Sequence, residues 1–156
     1  MTEKRLAQIT VVLSSIIIMM YALLSSYFFN KSLHLPYADV MYFALSNLLS
    51  LTLPFICAWL PYLFVRPAAV TGSALSALGL FIFFAITSTT MDDPKGAAAI
   101  WGIYFFWLIG ATLAGIYPAL FKPSFFTKTA MRAFLLSCLF TLLVSFILGL
   151  TISKIL

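Results

Sequence analysis

Five long apolar runs, none of which holds a charged residue or a histidine, occupy most of this 156-residue chain. They span about residues 6–29, 40–65, 68–86, 97–121 and 133–152. A helix needs about 20 apolar residues to cross the ~30 Å hydrocarbon core of a bilayer. Each run is therefore predicted to form one membrane-spanning helix. The predicted fold class is all-α, a single-domain bundle of five transmembrane helices.

The composition of the chain excludes several classes of protein. Hydrophobic residues make up 63% of the chain and charged residues 8%, whereas soluble domains contain about 25% charged residues. So few charges cannot keep a protein surface in contact with water. A soluble enzyme, a disordered chain and a nucleic-acid-binding protein are therefore excluded, and the lipids of a bilayer are the expected surroundings.

The basic residues divide unequally between the two ends of the predicted spans. On the side of the N-terminus lie Lys4, Arg5, Arg66, Lys122, Lys128 and Arg132. On the other side lie Lys31, Lys95 and Lys154. Because loops rich in Lys and Arg stay in the cytoplasm, the N-terminus is predicted to be cytoplasmic and the C-terminus outside. The short loops and this charge bias favour a multi-pass protein of the bacterial inner (plasma) membrane.

Local signals mark where several of these helices begin. The Arg66–Pro67 pair separates the second span from the third, because Arg is costly at membrane depth and Pro suits the first turn of a helix. Asp93–Pro94 places a capping carboxylate before the fourth helix, and Thr127 or Thr129 is expected to cap the fifth.

The absence of ionisable residues from the spans bears directly on function. Proton-coupled carriers, voltage sensors and intramembrane acid–base catalysts place such residues inside the membrane. Every Asp, Glu, Lys, Arg and His of this chain lies between or beyond the spans. We therefore expect no catalytic residues, no metal site and no cofactor within the bilayer, and a protein that is not an enzyme.

Neutral polar residues form one candidate site in the second span. Ser46, Ser50 and Pro54 share a helix face, and Asn47 lies beside them. Pro54 leaves the carbonyl of Ser50 without its usual donor. One hypothesis is a small polar pocket for an ion or a solute at a kinked helix. The alternative is that Asn47 and Ser50 bond to a neighbouring helix.

A second candidate site is a stripe of small residues on the fifth span. It comprises Ser137, Thr141, Ser145 and Gly149, and it extends the same spacing to Ala133 and Ser153. Shorter versions occur in the third span at Gly72 and Ser76 and in the fourth at Gly110 and Ala114. Small residues four apart let a second helix approach closely. The stripe is therefore predicted to pack against another helix, either within this chain or in a partner.

The outer loops hold the third candidate site, which consists of His34, Asp39, Asp92 and Asp93. This is the one region where a His and carboxylates are predicted to lie near each other. Helix capping and salt bridges are one explanation of these residues, and a docking surface is another. A lipid-active enzyme with its site on this rim is a third hypothesis, although so few titratable groups give little material for acid–base chemistry.

These observations favour a non-enzymatic membrane protein that binds another membrane-inserted protein through helix faces and short outer loops. Immunity proteins and assembly subunits of membrane complexes are accessory proteins of this type, by analogy of class alone. The alternative is a small oligomeric transporter or channel subunit with a neutral polar site at the second helix. The expected partner is thus a different membrane protein or a second copy of this chain.

Overall fold

The computed structural model describes residues 2–33 and 37–152 of the chain. Over these residues the elements are α1 (Glu3–Leu33), α2 (Tyr37–Trp59), a 3-10 helix (Leu60–Phe64), α3 (Pro67–Thr89), α4 (Pro94–Phe121), α5 (Ser124–Thr127) and α6 (Ala130–Ile152). Five helices within this part of the chain are long and apolar enough to cross a membrane. The prediction of an all-α bundle with five helices able to span a membrane is therefore confirmed.

The spans lie close to their predicted positions. They are Glu3–Phe28, Val40–Phe64, Pro67–Thr89, Ala99–Phe121 and Ala130–Thr151. The third span continues past its predicted end to Thr89. In this added part Thr87 and Thr89 donate their hydroxyl hydrogens to the carbonyls of Phe83 and Ile86, both at 2.8 Å, so their polar groups have partners within the helix.

The predicted starts of α3, α4 and α6 are confirmed, and those of α4 and α6 have capping contacts. Pro67 is the first residue of α3 and follows Arg66 in an extended conformation. A carboxylate oxygen of Asp93 accepts a hydrogen bond from the backbone N–H of Gly96 at 3.0 Å, which caps α4. Of the two threonines considered for the last long helix, Thr129 accepts the bond from the Arg132 N–H at 3.2 Å.

The α3 helix is the centre of the bundle. The share of the span that is buried inside the bundle is 61% for α3 and 22% for α2. It lies against α1, α2, α4 and α6, and small residues occupy much of its inward surface, so the backbones of these helices come close together. The consequence for function is that α2 keeps the largest share of its surface uncovered.

A polar contact joins three elements at the end of the bundle where the chain begins. The Arg66 guanidinium donates to both carboxylate oxygens of Glu3, at 2.6 and 2.9 Å, and to the backbone carbonyl of Thr127 at 2.9 Å. The start of α1, the turn before α3 and the short α5 are thereby held together. Arg suits this role because its planar group presents several donors at once.

Candidate functional site

A groove of about 380 Å³ lies between α2 and α4. We call it the α2–α4 groove; its walls are formed by Phe43, Ser46, Asn47, Ser50 and Leu51 from α2 and by Trp101, Gly102 and Phe105 from α4. The structure thus brings three of the four predicted polar residues of the second span to one site. The fourth, Pro54, is buried within α2, which continues as α-helix through it.

The side chain of Asn47 is engaged by the neighbouring helix. Its amide nitrogen lies 3.0 Å from the Ser25 hydroxyl, 3.2 Å from the Ser26 hydroxyl and 3.3 Å from the Ala22 carbonyl, all on α1. Two N–H groups therefore serve three acceptors, and α2 is tied to α1 at this point. Replacing Asn47 would loosen the bundle as well as alter the groove, so this residue is a poor probe of binding.

The hydroxyls of Ser46 and Ser50 differ from the Asn47 amide in their hydrogen bonding. Both side chains are exposed on the groove wall. In the described part of the chain no hydrogen bond joins either hydroxyl to another group, whereas Thr52 on the same helix donates to the carbonyl of Leu48. A polar group that faces hydrocarbon without a partner costs free energy. These two hydroxyls are therefore available to a group that enters the groove.

The wall on the α4 side is held rigidly by an aromatic cluster. The Trp101 ring centroid lies 5.6 Å from that of Tyr104, 5.7 Å from that of Tyr21 and 5.8 Å from that of Phe81. The Tyr104 hydroxyl donates to the Leu51 carbonyl at 3.4 Å, which joins α4 to α2 beneath the groove. Tilted and edge-to-face ring contacts of this kind add to the stability of the packing, so the groove is a preformed feature of the fold.

Gly102 makes the α4 wall shallow. It is exposed, and a Cβ atom built on it would meet no heavy atom within 4 Å. The backbone of α4 is therefore open to close approach at this position. Gly102 belongs to the site although sequence reasoning did not single it out. The available signal was a glycine within a stretch of aromatic residues, and nothing local indicated that this stretch would face α2.

The stripe of small residues on the fifth span does not line the α2–α4 groove. Ser137, Thr141, Ser145 and Gly149 are all buried inside the bundle, on the face of α6 that meets α3 and α4. The Thr141 hydroxyl donates to the Ser73 hydroxyl at 3.0 Å, and the Ser145 hydroxyl donates to the Trp107 carbonyl at 2.9 Å. Of the two alternatives given for this stripe, packing within the chain is the one observed, because helices of the same chain already cover it.

The outer-rim residues are only partly described. Asp92 is exposed in the turn before α4, and Asp93 caps that helix. Asp39 lies in the first turn of α2, and its side chain is outside the described part of the structure. His34 as a whole is also outside that part. The structure therefore shows one rim carboxylate, that of Asp93, in a capping role, and the predicted grouping of all four residues lies partly outside the described residues.

Comparison with known proteins identifies one full-length relative. The chain is 81% identical over 155 residues to a protein of Pasteurella multocida (strain Pm70) named "Uncharacterized protein PM1189", and the match covers 99% of each chain. No family model matches the chain, and no solved structure matches it. The inference of function therefore depends on the geometry described above.

Proposed function

This chain belongs to the family of the Pasteurella protein PM1189, and we propose that it is a non-enzymatic membrane protein that binds a transmembrane helix of another membrane-inserted protein in the α2–α4 groove. The observation that carries this proposal is the pair of unpartnered hydroxyls, Ser46 and Ser50, on the open wall of that groove. An accessory role of the immunity or assembly type fits such an activity.

The depth of the two hydroxyls supports a membrane-inserted ligand. Val40 begins the α2 span. At a rise of 1.5 Å per residue, Ser46 and Ser50 lie about 9 Å and about 15 Å along that span. Water cannot solvate them at the deeper level, since the hydrocarbon core is ~30 Å thick. A helix that brings its own hydroxyl, amide or carbonyl groups satisfies them and covers the remaining apolar wall.

The shape of the groove also favours a helix. The α2 wall runs from Phe43 to Leu51, which is about 12 Å or two helical turns. Gly102 on the opposite wall permits close approach of a second backbone. Small residues and hydroxyls at the contact are typical of helix pairs in membranes. A solute carried by an oligomeric transporter, which is the alternative function, would need a second copy of the chain to close the groove.

Photocrosslinking from the groove tests the proposal. With p-benzoylphenylalanine in place of Phe105, which is 42% exposed on the α4 wall of the groove, irradiation of native membranes is expected to attach one defined membrane protein to the chain. The same group in place of Leu139, which is 53% exposed on α6, is the matched control and is expected to attach none. Adducts of two copies of this chain would instead favour the oligomeric transporter, and lack of any polypeptide adduct from position 105 would contradict both functions.

We propose in addition that the N-terminus is cytoplasmic, the C-terminus is outside and the chain resides in the bacterial inner membrane. The unequal division of Lys and Arg supports this orientation, and the relative comes from a bacterium.

Cysteine labelling is expected to confirm this orientation. After Cys57 and Cys138 are replaced by alanine, a membrane-impermeant maleimide should label Asp92→Cys in intact cells. It should label Lys128→Cys only after permeabilisation. Both positions are exposed, so accessibility within the protein is matched. Labelling of both from the same side would contradict the five-span arrangement.

A further inference from the structure

A second groove, of about 440 Å³, lies at the end of the bundle where the chain begins. It runs between α1 and the segment that joins α2 to α3, and we call it the N-terminal groove. The residues that matter for its chemistry are Lys4, Gln8, Val11, Val12, Trp59 and Leu63. It shares no lining residue with the α2–α4 groove, so it needs an explanation of its own.

Polarity changes along this groove in one direction. Lys4 lies at its mouth, and Gln8 follows about 6 Å further along α1. Val12 lies about another 6 Å along, and Leu63 contributes further apolar surface from the opposite wall. The groove thus presents first a cation, then an amide and then hydrocarbon. This order matches the phosphate, the ester carbonyls and the acyl chains of a glycerophospholipid.

The Trp59 indole contributes apolar surface to this groove. Its Nε1 atom is buried within the bundle, so the indole N–H is not offered to a molecule in the groove. The polar contacts of such a molecule therefore depend on Lys4 and Gln8.

The charge at the mouth decides between lipid classes. The carboxylate of Glu3, next in sequence to Lys4, is occupied by Arg66 at 2.6 and 2.9 Å. Lys4 is exposed and is followed directly by Arg5, which is also exposed. This positive end attracts a phosphate and disfavours a headgroup that carries its own ammonium. Basic pockets near the membrane surface are typical binding sites for anionic lipid headgroups.

We propose that the N-terminal groove binds an anionic glycerophospholipid from the adjacent leaflet. Lys4 receives the phosphate, Gln8 receives an ester carbonyl, and one acyl chain lies along Val11, Val12 and Leu63. This proposal is independent of the partner-binding function.

Lipid titrations of the purified full-length protein in detergent, followed by native mass spectrometry, test the headgroup. Phosphatidylglycerol is expected to bind more tightly than phosphatidylcholine. Lys4→Gln is expected to weaken phosphatidylglycerol binding about fivefold, as the loss of one lysine near a lipid surface implies, and to weaken phosphatidylcholine binding less, because the choline ammonium already opposes the lysine charge. Lys128→Gln, at an exposed lysine outside the groove, is the control and is expected to have no effect. Equal binding of the two lipids, or equal losses in the two variants, would overturn the proposal.

A second pair of variants tests the acyl-chain site. Val12 is 56% exposed and lines the groove, whereas Ile9 is 47% exposed on the same helix and does not. Val12→Trp is expected to weaken binding of both lipids at least tenfold by filling the groove, and Ile9→Trp is expected to leave both unchanged. If the two tryptophan variants bind phosphatidylglycerol equally well, the acyl chain is not in this groove and the proposal is wrong.

Discussion

Replacement of Gly72 by alanine is expected to lower the free energy of unfolding of this bundle by about 3 kcal/mol, at the upper end of what an overpacked core costs. Gly72 lies where α3 crosses α6. A Cβ at this position would overlap the backbone carbonyl of Phe134 and the hydroxyl of Ser137, and would lie 3.2 Å from the Cys138 sulfur. The carbonyl belongs to the α6 backbone, so relief of the overlap requires the two helices to separate.

Separation of α3 from α6 would break hydrogen bonds as well. The Cys138 thiol donates to the Gly72 carbonyl at 3.3 Å, and the Thr141 hydroxyl bonds to Ser73 one turn further along. These bonds depend on the same close approach. A single methyl group is thus expected to weaken the contact between α3 and α6 over more than one turn.

Equilibrium unfolding in mixed micelles measures the effect, with Gly79→Ala as the matched control. Gly79 is also on α3, but a Cβ there would meet nothing within 4 Å. Because alanine favours helix over glycine by up to about 1 kcal/mol, Gly79→Ala is expected to be neutral or mildly stabilising. Since propensity favours alanine in both variants, similar losses in the two would contradict the assignment of the Gly72→Ala effect to the contact with α6.

Replacement of Gly102 by leucine is expected to abolish binding of the partner helix, with at least a tenfold loss of the crosslinked product formed from position 105. The leucine side chain would occupy the α2–α4 groove beside Ser46 and Ser50. It would meet no other part of the chain at its Cβ, so the free energy of unfolding is expected to stay within about 1 kcal/mol of the original, as is usual at exposed positions.

The control for this variant is Gly79→Leu. Both glycines are exposed, both lie within long helices and neither has a neighbour within 4 Å of a built Cβ. The two substitutions therefore have the same effect on helix propensity and lipid-facing area, and they differ in whether the groove is filled. Persistence of the complex in Gly102→Leu, or its loss in both variants, would contradict the assignment of the groove as the binding site.

The amino-acid sequence by itself determined the elements of this protein. The five spans follow from apolar length, and the starts of α3, α4 and α6 follow from Pro67, Asp93 and Thr129. These features are local, because solvation of a segment by lipid and capping of a helix end depend on residues close together in the chain. For the same reason the polar residues of the second span can be identified from the sequence, whereas the helices that surround them cannot.

Tertiary structure alone decided which surfaces remain open. The stripe on α6 and the serines on α2 are equally plausible contacts in sequence, yet Ser145 is buried against α4 whereas Ser50 faces an open groove. Gly102 and Trp59 gained their importance from residues far away in the chain. Small and polar side chains permit close contact with any helix, so they do not specify which helix is the neighbour. The pairing of helices is a property of the whole bundle, and it determines which of these surfaces are covered.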